Sequence, residues 1–76
     1  MRTFHTSVED GTFTASSAGE AFPDIGKALR SAVLSSIMIG ADDRDGPSDR
    51  SFVCDVEDTV TGESRKATVH LVIEYG

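Results

Sequence analysis

Apolar and polar residues alternate in steps of two along Thr3–Glu9, Phe52–Glu57 and Ala67–Tyr75, and recur in steps of three and four between Ile25 and Ile39. The first rhythm is that of strands with one buried face, the second that of an amphipathic helix. One helix between two strand pairs is therefore the expected order. Asp24 is placed as an N-cap, because its carboxylate can accept from the free N–H groups of the first turn and sits at the positive end of the helix dipole. Pro23 suits an extended entry to that cap, and Gly40 is placed for a left-handed C-cap before an Asp/Arg/Gly/Pro run that cannot easily continue a helix. The pattern predicts a helix from about Ile25 to Ile39.

At 100° per residue, Ile25, Ala28, Leu29, Ala32, Val33, Ser36 and Ile39 form one broad stripe, while Lys27, Arg30 and Ser31 fall on the far side. Leu34 and Met38 break the pattern, lying four residues apart on the polar face with Ile37 on their flank. A one-helix domain has no second core for them. They are either scattered exposed apolar residues, which are common, or a contact surface for a second copy or a protein partner.

Thr3–Glu9 and Thr12–Ser16 flank Asp10-Gly11, which suits a tight type I′ turn. With those two residues as the loop, Val8 lies opposite Phe13 and Thr6 opposite Ala15, so Phe4, Thr6, Val8, Phe13 and Ala15 share one face. Ser16 to Ala21 reads as a link feeding the helix. In the second hairpin a Thr61-Gly62 turn sets Val56 against Ala67, Cys54 against Val69 and Phe52 against Leu71, with a longer loop from Asp58 to Arg65 as the alternative. The same register pairs Glu57 with Lys66 and Asp58 with Arg65. It also gathers Val53, His70 and Val72 on the outer sheet face, a small docking site or an ordinary half-wet face. The expected fold class is α+β: an antiparallel sheet of two hairpins in ββαββ order, with one helix packed on one face and residues 1–76 forming a single domain.

Composition narrows the functional classes. The chain has 76 residues, 38% of them hydrophobic, with no Trp; a domain this small has a thin folding margin, for which oligomerisation is a common remedy. A net charge of −6, with seven basic residues that form no stripe, opposes nucleic-acid binding, which draws its affinity from clustered Lys and Arg. A lone Cys54 makes no internal disulfide and favours a reducing compartment. Neither a signal-peptide core nor a run of about 20 apolar residues is present, so a cytoplasmic location is expected.

Candidate chemistries fall one at a time. His5 and His70 have no Cys/His partner at zinc spacing. Cys54 shares the inward face with Phe52 and Val56 and reads as a buried small hydrophobe rather than a nucleophile. No serine sits in a Gly-x-Ser-x-Gly elbow, and Gly40, Gly46 and Gly62 punctuate turns rather than cradle phosphate. Asp42-Asp43-Arg44-Asp45-Gly46 resembles the start of a calcium loop, but aligning Gly46 with the sixth position puts Ala41 first and Phe52 twelfth, where oxygen ligands are required. Ala41–Arg50 reads as a solvated linker.

The order of these segments resembles a family of short uncharacterised bacterial proteins, a domain of unknown function. The likeness rests on a strand ending in Asp10-Gly11, on Gly19-Glu20-Ala21-Phe22-Pro23-Asp24 leading into a helix with Ala28 and Ala32, and on Phe52–Asp58 before a Gly62 turn. It covers almost the full chain and implies a small bacterial α+β domain without an assigned activity. Ser31, Ser35, Ser36 and Ile37-Met38-Ile39 depart from it, standing where such proteins carry more Ala, Arg and Glu. Val8–Phe13 followed by a helix is also similar to the opening of HicB-type antitoxins, which bind a toxin, although the usual third strand before the helix is missing. Dodecins, flavin-binding oligomers, share the helix and closing hairpin, but here no Trp is available to stack on a flavin. The expectation is a non-enzymatic, acidic, cytoplasmic bacterial binding domain without cofactor, metal, nucleic acid or membrane. It works as a homodimer or with a protein partner through Leu34, Ile37 and Met38. The alternatives are a dodecin-like small-ligand binder and a HicB-like antitoxin.

Overall fold

The computed structural model describes residues 2–11, 14–42, 49–72 and Glu74. Its elements are β1 (Arg2–Glu9), β2 (Thr14–Phe22), α1 (Ile25–Asp42), β3 (Asp49–Asp58) and β4 (Ser64–Val72). All strand pairs are antiparallel, and the sheet order is β2-β1-β3-β4. The chain is thus α+β in ββαββ order, with α1 on one face of a four-stranded sheet. Phe13, Ile73, Tyr75 and residues 43–48 of the expected linker lie outside the described residues. The ends of that linker belong to the elements: Ala41 and Asp42 close α1, and Asp49 and Arg50 open β3.

The second hairpin, and the first as far as its bulge, differ from the sequence expectation by two residues, and because that shift is even the side chains there keep their faces. In the first hairpin Val8 pairs with Ala15 and Thr6 with Ser17. Asp10 is drawn away from a tight turn by Arg50, whose Nη2 lies 2.6 Å from its carboxylate, while Gly11 adopts φ +93°. Ser16–Ala21 is not a link but part of β2. The backbone groups of β1 need partners along their whole length, and Arg2–Phe4 find them in Glu20–Phe22. One extra residue of β2 is absorbed between the Phe4 and Thr6 pairings, where Gly19 supplies φ +77°, the conformation a bulge asks of glycine.

In the second hairpin Val56 pairs with Arg65, Cys54 with Ala67, Phe52 with Val69 and Arg50 with Leu71. Asp58 dictates the shift. Its N–H donates to the Glu63 carbonyl (2.7 Å) and its carbonyl accepts from the Gly62 N–H (3.0 Å). Its Oδ1 accepts from the N–H groups of Val60 (2.8 Å) and Thr61 (3.1 Å). Gly62, at φ +77°, closes this turn rather than forming its centre. The expected Glu57–Lys66 and Asp58–Arg65 pairs are replaced: Lys66 lies 3.8 Å from Asp55, Arg65 lies 3.4 Å from Glu63, and Asp58 binds Arg2. Val53 now faces Thr68, with His70 opposite Ser51 and Val72 opposite Asp49, so the expected outer-face cluster is spread along the sheet.

The helix begins as its sequence predicts. The Asp24 carboxylate accepts from the Lys27 N–H at 2.9 Å, and the Asp24 carbonyl takes the first helical bond from Ala28 at 3.2 Å, a cap worth about 1 kcal/mol. It ends later, at Asp42, because Gly40 is not a C-cap. Gly40 is helical and buried, and a Cβ there would collide with Leu71 Cδ2 and press on the Phe52 ring. Ala28, Ala32, Ser36 and Gly40, each one turn apart, are all buried, forming a ridge of small residues that lets the helix approach the sheet closely. Beneath it Phe4, Val8, Phe52, Cys54 and Val56 complete the core, with Phe22, Ile25, Leu29, Val33, Ile39 and Val69 packed around them. The buried Ser36 hydroxyl is satisfied by donating to the Val33 carbonyl at 2.7 Å.

A repeat that hydropathy does not display underlies the sheet. Arg2, Phe4, Val8 and Asp10 recur at the same spacing as Arg50, Phe52, Val56 and Asp58. With Ser7 opposite Asp55, the antiparallel β1–β3 ladder relates the two sets by a local two-fold. Each arginine reaches the other set's aspartate, at 2.7 Å for Arg2–Asp58 and 2.6 Å for Arg50–Asp10. Each also lies over the ring two residues on, at 5.3 Å and 5.0 Å from the centroids of Phe4 and Phe52.

Two measurements follow from this packing. Gly40→Val is expected to destabilise the domain by about 1–3 kcal/mol through overpacking, read as a lower denaturant midpoint, whereas valine at exposed Ser35 leaves it nearly unchanged. The Asp58 carboxyl is held below the usual range by the N–H groups of Thr61 and Val60 and by Arg2, against the opposing effect of burial. A lowered folded-state value means that its contribution to stability is complete above the unfolded carboxylate range and drains as pH falls through the folded value. The urea midpoint of the wild type should therefore drop below about pH 4, with a shallower drop in Asp58→Asn.

Candidate interaction surface

A helix about 10 Å across cannot cover four strands spaced about 4.8 Å apart. Here α1 sits over β3, β4 and β1 and meets β2 least, because Gly40 brings its last turns down beside Leu71 and Phe52. Two consequences of that seating are functional candidates. One is the face of α1 turned away from the sheet; the other is the gap left over β2.

On the outward face Leu34, Ile37 and Met38 are 49%, 38% and 66% exposed. The three residues singled out by sequence are thus brought together on the surface, where nothing in the core reaches them. Lys27 and Arg30, both exposed, occupy the N-terminal half of the same side, while the last turn of α1 carries no basic residue. That face is apolar toward one end and basic toward the other.

The gap over β2 is a groove of about 160 Å³, walled by Ser31 and Ser35 of α1 and by Ser17 and Glu20 of β2, with Val8, Ala15, Ala32 and Ile39 among its apolar lining. Sequence reasoning missed it. The available signal was Ser31 and Ser35 one turn apart beside the apolar stripe, facing a strand whose side chains are small. Ala15 and Ser17 leave space where Phe or Leu would fill it.

The outer sheet face is mostly polar. His5, Ser7, Asp55 and Glu57 rim a shallow depression there, and exposed His70 meets Asp49 at 2.5 Å. Among the described residues no group of three or more His, Cys, Asp or Glu is placed to hold a metal ion. No described helix is long and apolar enough to cross a membrane. Cys54 is fully buried, and that burial pushes its thiol up, with the Ser36 hydroxyl pulling weakly the other way. A nucleophilic thiol needs the reverse.

No protein-family model, curated protein or solved structure gives a significant match to this chain.

Cys54 provides a direct check on the site assignment. The native protein at neutral pH should react with a thiol reagent only at the rate of its unfolding, and completely once denatured; rapid stoichiometric labelling of the native state would make Cys54 a reactive group after all.

Proposed function

We propose that this chain is a small non-enzymatic interaction domain of the bacterial cytoplasm that self-associates through the outward face of α1. The observation that carries the reading is the exposure of Leu34, Ile37 and Met38 together, on the side of the only described helix opposite its core ridge. Clustered apolar exposure of this kind marks a contact surface more than scattered leucines do. Charge supports a second copy as partner. In an antiparallel pairing of two α1 helices, Lys27 and Arg30 of each lie over the other's C-terminal end, whose partial negative charge no basic residue of its own last turn offsets.

Kinship with the short bacterial domains of unknown function belongs to this proposal, and so does the absence of catalytic machinery. A flavin-type ligand gains little support, since the groove is smaller than the roughly 300–1,000 Å³ of ordinary ligand pockets. A toxin bound in the HicB manner is the same kind of protein contact with a different partner, and no particular residue favours it.

Sedimentation equilibrium over a wide concentration range should show reversible dimers for the wild type and monomers for Leu34→Lys, with both retaining the same helical circular dichroism. A wild type that stays monomeric throughout would sink the reading.

A further inference from the structure

We infer that the groove between α1 and β2 is the receptor for a second copy of this chain, taking the Met38 side chain of the partner in a reciprocal, two-fold contact. The inference rests on the self-association reading and names the site that completes it. Three observations carry it.

The first is size. A stable protein pair buries about 800 Å² on each partner, which three helix side chains cannot supply alone. Extending the contact from the outward face of α1 across the groove to β2 recruits Ser31, Ser35, Ala15 and Ser17 as well.

The second is fit. At about 30 Å³ per water, the groove of about 160 Å³ holds the volume of a few water molecules, comparable with one long apolar side chain. Met38 is the most exposed large apolar residue of the helix, at 66%, and its unbranched thioether adapts to an irregular site. The apolar lining from Val8, Ala15, Ala32 and Ile39 suits its methyl end, while Thr6, the serines and Glu20 make up the polar remainder of the lining.

The third is self-complementarity. Knob and hole are carried by the same chain on neighbouring sides of one helix: Ser31 and Ser35 wall the groove, and Met38 stands one turn beyond Leu34 on the adjoining side. An isologous contact needs this arrangement, since each copy must offer both parts.

Sedimentation of four variants tests the assignment. Ala15→Leu, which fills the groove from an exposed position, should weaken self-association at least about tenfold, or ~1.4 kcal/mol. Met38→Ala should do the same, and the double variant should weaken it little further, as expected for two residues acting on one contact. Should Ala15→Leu fail to fold, mixing a Met38→Cys chain with an Ala15→Cys chain under mild oxidation should give a disulfide-linked heterodimer. If Leu34→Lys abolishes association while Ala15→Leu leaves it unchanged, or if the mixed chains do not cross-link, the groove assignment is overturned and the outward face stands. Wild-type protein that never associates overturns both.

Discussion

The ladder between β1 and β3 is the interaction on which the rest depends. Each hairpin alone is a marginal two-stranded ribbon, and the segment between them must fold back before the two can meet. The reciprocal Arg–Asp pairs clamp both ends of that ladder. Arg50 and Asp10 are about nine-tenths buried, whereas Arg2 is 42% exposed against a buried Asp58. Burial leaves the Arg50–Asp10 pair little screened by solvent. The Arg2 pair is more screened, and Asp58 remains fixed by the turn amides it accepts from. The same residue therefore serves two levels of structure: it shapes the β3–β4 turn locally and ties that turn to the first strand.

Once the ladder is closed, the small ridge of α1 decides where the helix rests. Ala28, Ala32, Ser36 and Gly40 allow close approach only along the line they form, and Gly40 fits against Leu71 and Phe52. The seat is therefore displaced toward β3 and β4. The local two-fold of the strands has no counterpart in the helix, so β4 is covered and its equivalent, β2, is not. The groove is a geometric consequence of one helix serving a two-fold sheet, and the small side chains of β2 leave it open.

The sequence made the element types, the inward faces and the N-cap legible because each depends on spacing within a few residues. Alternation placed Phe4, Val8, Phe52, Cys54 and Val56 on one face, and the buried core agrees. Registers were not legible from alternation alone: distant Arg50 draws on Asp10, and Asp58 spends its carboxylate on the Val60 and Thr61 amides of its own turn and on Arg2. Gly40 misled for the same reason. A glycine near a helix end reads as a cap when only local rules apply, and the ring of Phe52 and the methyl of Leu71 that make it a close-approach residue belong to strands far beyond the helix in sequence. Ser16–Ala21 read as a link by composition, yet became strand because β1 supplies a partner for its backbone. The exposure of Leu34, Ile37 and Met38 could be read from the helical period alone, whereas the groove required knowing which strands α1 covers.

An acidic chain opposes its own association at long range, and the position of its charges matters more than their sum. Among the residues lining the groove Glu20 carries the charge, and Lys27 and Arg30 hold the N-terminal half of the α1 outer face, with Leu34, Ile37 and Met38 toward the other end. Screening at physiological salt confines repulsion to about 8 Å, so distant carboxylates count little once two helices touch. In the proposed pairing what remains is local: apolar area from the helix face, Lys27 and Arg30 near the C-terminus of the facing helix, and a groove for a side chain. A domain of this size has little core to spare, which makes burial between copies a natural route to added stability. Filling the groove within one chain would stabilise the monomer while removing the socket proposed for a second copy, so on that proposal the open inner side of β2 leaves the last packing step to be made between molecules.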